Sequence, residues 1–297
     1  MSLYRERPYM MARDSSLDDP MTEPAIRLSA FAGIFLAMTL WEFLAPRRPW
    51  SVGRLRRWPG NLAVLVIDAL AVRLLIPTAA AGVALVAATH GFGLFHLLGW
   101  PGWLAGIAGF VILDLIIYGQ HVVFHHVPWL WRLHRVHHAD LDFDVTTGVR
   151  FHPIEILISM GVKIAAVGLL GVPAAAVVAF EVVLNATSMF NHSNAALPGW
   201  LDRAVRLAVV TPDMHRVHHS VVRAETDSNF GFNLPWWDWL FRTYRPEPAA
   251  GHDAMTIGLP IFRAPGELRL DRLLTQPFRE PRDADAAAPP PVRSPLH

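Results

Sequence analysis

The chain has 297 residues, a formal net charge of +1 and no cysteine. Its length allows one or two domains, and 53% hydrophobic against 17% charged residues argues against a soluble globular enzyme. The lack of cysteine excludes disulfides, thiolate ligands, Cys-held iron–sulfur clusters and Cys nucleophiles, so any metal site must use histidine and carboxylate.

Residues 1–24 are polar, mix acids with bases and do not look like a signal peptide. A first span is expected over about 25–45, where Ala25–Leu44 carries only Arg27 and Glu42. The following loop holds Arg47, Arg48, Arg54, Arg56 and Arg57 without an acid, which marks it as cytoplasmic under the positive-inside rule. A second span is expected from Leu62 to about Ala88, kinked at Pro77. The uncharged connection Gly91–Gly102 suits the outer side. A third span then returns inward and ends near Gln120.

Residues 156–190 form a second long apolar stretch, broken by Gly171-Val172-Pro173. They read as a hairpin of two spans, or as a shallow re-entrant pair. Spans need about 20 mostly apolar residues, so the expected fold is all-α. It is a polytopic integral membrane protein with four to five transmembrane helices. Asp68, Arg73, Lys163 and Glu181 are expected to pair with one another or to snorkel near span ends. Residues 1–24 are thus a tail, 25–102 the N-terminal spans, 103–245 a catalytic unit and 246–297 a C-terminal segment, disordered from about 276.

Histidines carry the chemistry. HRVHH occurs twice, as His134-Arg135-Val136-His137-His138 and His215-Arg216-Val217-His218-His219. His121 and His125 form an i, i+4 pair just upstream. Such spacings stack side chains on one helix face, and imidazole is the commonest metal ligand. Eight imidazoles are too many for one ion and suit two. His192, in NHSN, follows the hairpin on the same side as the other clusters. His152, in RFHPIE, is open between ligand, support and interface. Asp114, two turns before His121, is a candidate acceptor for the second N–H of a ligating imidazole. His126, His90, His96, His252 and His297 are set apart from the site.

Together these residues resemble the fatty acid hydroxylase / sterol desaturase superfamily of membrane di-iron oxygenases. The resemblance runs from about Asp114 to Tyr244. It includes the Asp114…Tyr118…His121…His125 run, both HRVHH boxes, RFHPIE, NHSN, TPDMHRVHHS and ETDSNFGFNLPWWDWLFRTY. It departs from the usual pattern at Val122 and at Arg242, neither of them a ligand position.

The resemblance implies two iron ions on the cytoplasmic side. Their ligands would be His121, His125, His134, His137, His138, His215, His218 and His219, with His192 as a ninth and Asn229 near the site. It further implies O2 as co-substrate, hydroxylation or desaturation of a membrane lipid, and electrons from a separate donor protein. No haem, flavin or iron–sulfur motif is seen in the chain, and no basic, aromatic-laced patch argues for a nucleic-acid partner. Composition hints at a bacterial inner membrane. A zinc-dependent hydrolase, and a non-catalytic metal-binding or transport protein, are the competing classes. The zinc hydrolase motif HExxH is absent.

Overall fold

The computed structural model describes residues 22–280. Most of the expected N-terminal tail, and the expected disorder beyond 280, lie outside them. Among the described residues the chain is helical, and its only β pairing is two isolated bridges, Pro46 with Ala195 and Ser220 with Ile257.

The long helices are α1 (Thr22–Leu44), α2 (Arg54–Leu75), α3 (Ala79–Thr89), a short α4 (Leu94–Leu97), α5 (Gly102–His126), α6 (Pro128–His138), α7 (Pro153–Leu170) and α8 (Ala174–Asn191). Five stretches among them are long and apolar enough to cross a membrane, with α2–α4 counted as one. This is a polytopic membrane protein. Leu36, Leu40, Leu74, Leu97 and Leu169 are exposed around the helix bundle, as side chains facing lipid should be. Trp103, Trp129 and Trp200 are exposed near helix ends, where the membrane interface favours indole rings.

Local chemistry explains the breaks. Pro77 lies in the gap between α2 and α3, where its missing N–H cannot continue a helix. Gly171 ends α7 in the left-handed conformation, at φ 71°, which only glycine adopts cheaply. Pro173 then opens α8 as its N-cap. The tight turn is as expected, but the two helices do not pack along each other as a hairpin: α7 lies against α2, α3 and α5, and α8 against α1, α3 and α5. Ala80, Ala81 and Ala84 of α3 are fully buried with Leu113, Val167 and Phe180 in the main apolar core. Small residues let helix backbones approach closely inside a membrane.

Two expectations need correcting. Arg54, Arg56 and Arg57 are not loop residues, because α2 begins at Arg54 and carries Pro59 within its first turns. Arg57 is fully buried and spreads its guanidinium over Asp140 (2.7 Å twice) and Asp144 (2.5 Å). Burial alone would push the Asp140 carboxyl up; Arg57 and Arg150 override it and hold it below the usual carboxylate range. Order also continues past residue 276. Gln276 and Pro277 are buried, and the carbonyls of Gln276, Pro277 and Arg279 accept from Arg132 and Arg135 of α6.

Beyond α8 the chain returns to the histidine end as short helices: α9 (Gly199–Val205), α10 (Pro212–His218), α11 (Arg223–Thr226) and α12 (Trp236–Leu240). Glu42, at the end of α1, pins two of the surrounding loops by accepting from the amides of Val145 and Asn194, each at 2.7 Å.

Candidate metal centre

Pro128 fixes the first corner. The residue before a proline is pushed to extended backbone. Val127 adopts φ −91°, ψ 115°, ending α5 and re-aiming the chain into α6 with Pro128 as its first residue. The corner turns the end of α5 onto α6, so His121 lies 3.1 Å from His134 and His125 lies 3.1 Å from His138, Nε2 to Nε2. The second HRVHH copy starts the same way: Thr211 caps α10 through its hydroxyl and Pro212 follows at the first helical position.

All nine histidines singled out from the sequence converge, and all are buried. Their nitrogens fall into two groups that could each hold a metal ion. The first has His121, His125, His134, His138 and His218; the second has His137, His192, His215 and His219. Within each group the ligand atoms lie within 4.8 Å of one another.

Neighbouring Nε2 atoms are 3.0–3.2 Å apart: His218 to His121, His138 to His134, His137 to His192, His192 to both His215 and His219. These contacts have hydrogen-bond length, but His121–His134, His218–His121 and His137–His192 cannot be hydrogen bonds, because both rings of each pair turn Nδ1–H outward. His121 donates its Nδ1–H to the Phe230 carbonyl at 2.8 Å, and His218 to the Ser228 carbonyl at 2.7 Å. His192 donates to the Ser188 carbonyl and His134 to Glu155 Oε1, each at 2.7 Å. His125 faces Asp227 Oδ1 at 3.2 Å and His137 the Arg150 carbonyl at 3.3 Å.

A neutral imidazole with Nδ1–H committed outward presents only a lone pair at Nε2. Lone pairs pointed at one another repel, and a cation between them removes the conflict. The spacing agrees: metal–nitrogen bonds near 2.1 Å place ligands at right angles about 3.0 Å apart. Burial keeps the rings neutral. It pushes His134 and His192 down to about 3, and His137, His138, His215, His218 and His219 well below the ordinary range. Neutral imidazole is the form that binds metal.

The remaining candidates fall elsewhere. Asp114 does not reach an imidazole. Seven residues of helix separate it from His121 by about 10 Å, and its Oδ2 accepts from Trp237 Nε1 (2.8 Å) and the Leu234 amide (3.3 Å). His152 belongs to neither group; it caps α7, its Nδ1 accepting from the Ile154 amide and its Nε2 lying 3.1 Å from the Leu274 carbonyl.

Asn229 lies between the two carbonyls that hold His218 and His121. At φ 50° it occupies a region that asparagine tolerates better than most residues. Its side chain donates to the Met214 and Arg245 carbonyls and accepts from the Arg245 amide, each at 2.8 Å. It therefore shapes the backbone that orients two imidazoles.

Sequence reasoning passed over Glu155 and Asp227 as imidazole partners. Glu155 had one visible signal, its place inside the RFHPIE run. Asp227 had none beyond ETDSNFG.

The first group forms part of the wall of a cavity of about 540 Å³ through His121 and His134. The cavity runs among the membrane-spanning helices, past Phe31, Leu65, Val72, Ile117 and Leu184.

Residues 106–243 match the fatty acid hydroxylase family. An ornithine lipid hydroxylase of Rhizobium tropici is 33% identical over 180 residues, 60% of this chain and 52% of that protein. Alkylglycerol monooxygenases of Homo sapiens and Danio rerio are 27% and 28% identical over 163 and 166 residues, each covering 52% of this chain and 34% of the relative. The matched region thus spans about half the length of the bacterial relative and about a third of the vertebrate ones. No solved structure matches the chain. The buried histidine clusters, the apolar spans, the family match over residues 106–243 and these relatives support membership of the fatty acid hydroxylase superfamily.

Proposed function

We propose that this protein hydroxylates a membrane lipid, with two iron ions held by His121, His125, His134, His138 and His218 on one side and His137, His192, His215 and His219 on the other. The observation that carries the reading is the two buried groups of inward histidine nitrogens, five and four, the first of which reaches the wall of a cavity among the spans through His121 and His134. Five nitrogens exceed the tetrahedral set that structural zinc prefers, and cis spacing near 3 Å suits higher coordination. The relatives are named for hydroxylation and monooxygenation of lipids, which favours hydroxylation over desaturation.

The bound metals would supply reduction of O2 and removal of hydrogen from an unactivated C–H bond. The overall change is RH + O2 + two electrons + two protons → ROH + H2O, with the electrons delivered by a separate donor protein. The chain's own residues bind and orient. Glu155 and the carbonyls of Ser188, Ser228 and Phe230 fix the tautomer of four ligands. Phe151 stacks on His137 with ring centroids 4.3 Å apart, and Phe124 and Phe232 help line the cavity beside the imidazoles. This apolar shell limits water access and lowers the local dielectric around the metals. We read the histidine end as cytoplasmic and the membrane as a bacterial inner membrane, on the arginines at the end of α1 and the bacterial relative.

The test is elemental analysis of protein purified in detergent from iron-replete cells, followed by turnover of lipid with an added reductase under labelled O2. About two irons per chain, and one labelled oxygen atom in the product alcohol, are expected. Turnover without O2, or a single zinc with no iron, would move the protein to the zinc hydrolase class.

A further inference from the structure

Besides the exposed Arg73 and the two histidines, the acids of the cavity wall and the groups beside them are of two kinds. On one wall Glu181 accepts from Lys163 Nζ and pairs with Arg27 Nη2, each at 2.6 Å, and Arg27 also pairs with Glu23 at 2.8 Å. That cluster satisfies itself and asks nothing of a ligand. The second kind is unpaired. Asp68 is 5% exposed, lines the cavity and forms no hydrogen bond or ion pair among the described residues; its Oδ1 is buried without a partner. Gln120 is held by its nitrogen, which donates to Ser159 Oγ at 2.6 Å, and its Oε1 is also buried without a donor. Glu155 gives one oxygen to His134, and its Oε2 is the third such atom.

All three orphans are acceptors, and all three residues line the same space. Buried polar groups are almost always hydrogen-bonded, and an unpaired carboxylate inside a membrane marks a functional position. A hydrocarbon cannot answer them; a ligand bearing N–H or O–H can. Their location is specific as well. Gln120 immediately precedes His121, and Glu155 touches His134. Asp68 lies one turn, about 6 Å, beyond Val64, which packs against Val136 of the first HRVHH helix. The donors of a ligand would therefore sit at the metal end of the cavity. The apolar side chains of Phe31, Leu65, Val72 and Leu184 are left for its hydrocarbon chain.

Resting on the hydroxylase reading, we infer that the substrate is an amphiphile whose hydroxyl- or amine-bearing polar end is anchored by Asp68, Gln120 and Glu155 beside the metals. Oxidation then falls within a few bonds of that polar end, not at the far end of the chain.

The test is equilibrium binding to the full-length, metal-loaded protein in detergent, without O2 or reductant, using dodecanol, dodecylamine and dodecyl methyl ether. The first two carry donors; the ether carries none. The donor-bearing probes should bind at least about tenfold more tightly than the ether. Asp68→Leu should erase most of that gap while leaving the ether's affinity and the metal content unchanged. Its unfolding temperature should hold or rise, because an unpartnered buried carboxylate has been removed. Asp68→Asn, which keeps an acceptor, should retain part of the gap.

Equal binding of all three probes, no saturable binding of either donor-bearing probe, or a full gap surviving Asp68→Leu overturns the inference. The readout needs no turnover, so it stands apart from the oxygenase reading. Hydroxylation with no donor preference would overturn only the anchor, and donor preference without hydroxylation would overturn only the reaction.

Discussion

His137 and His218 hold the same place in the two copies of HRVHH, and each crosses to the nitrogen group built by the other copy. Helix geometry explains the exchange. The outer pair of each box, His134 with His138 or His215 with His219, is four residues apart and differs by only about 40° around the axis. The middle histidine is rotated about 60° the other way. When the two boxes face each other, outer pairs grip their own ion and middle residues reach across.

This gives a paired prediction. His137→Ala and His218→Ala each remove one nitrogen from opposite groups, so both should lower the iron content from about two per chain and reduce lipid oxidation to background. Elemental analysis and product assay check it. Two irons and full turnover in either variant would remove that residue from the ligand set.

Glu155 accepts the Nδ1–H of His134 at 2.7 Å and so fixes its tautomer. Replacing such a partner typically costs about 10–100-fold in metal affinity or activity. Glu155→Leu should show that loss, while Glu155→Gln, whose carbonyl still accepts the Nδ1–H, should lose less. Competition with a chelator measures both. Equal metal affinity in wild type and Glu155→Leu would show that the carboxylate does not set the imidazole.

Arg57 joins α2 to the loop after the first HRVHH box through Asp140 and Asp144. Arg57→Met leaves the buried Asp144 without its cation and Asp140 with Arg150 alone, at 3.4 Å, a loss of about 3–5 kcal/mol when a buried pair is broken on one side. Arg57→Lys keeps the charge but cannot grip Asp140 with two parallel bonds. Unfolding temperatures should fall in the order wild type, Lys, Met. An unchanged Met variant would mean the network adds nothing to the fold around the metals.

The boxes were legible because their spacing is local: i, i+3 and i+4 define a helix face whatever surrounds it. So were the corner at Pro128 and the turn at Gly171, where one residue's backbone limits decide the path. What supports the boxes was not legible. Glu155 lies 21 positions from His134, and the carbonyls of Ser228 and Phe230 have no side-chain signature. Asp114 drew notice through its helical phase, yet axial distance keeps it from His121. Arg57 looked like a loop charge because its acids lie 83 and 87 residues away. Gln276 and Pro277 sit in a stretch whose composition suggests disorder, while Arg132 and Arg135 hold its carbonyls in place.

The orientation of the bundle can be read directly, because the chain has no cysteine and a single introduced thiol is unambiguous. With Arg57 buried, Arg47, Arg48, Arg54 and Arg56 remain to favour the cytoplasmic side at the histidine end. His90, beside the uncharged connection at the other end, is exposed, and so is Ala250 beyond the histidine groups. In intact cells a membrane-impermeant maleimide should label His90→Cys, and it should label Ala250→Cys only after the cells are opened. The opposite pattern would place the histidine end outside, where a cytosolic electron donor could not reach it.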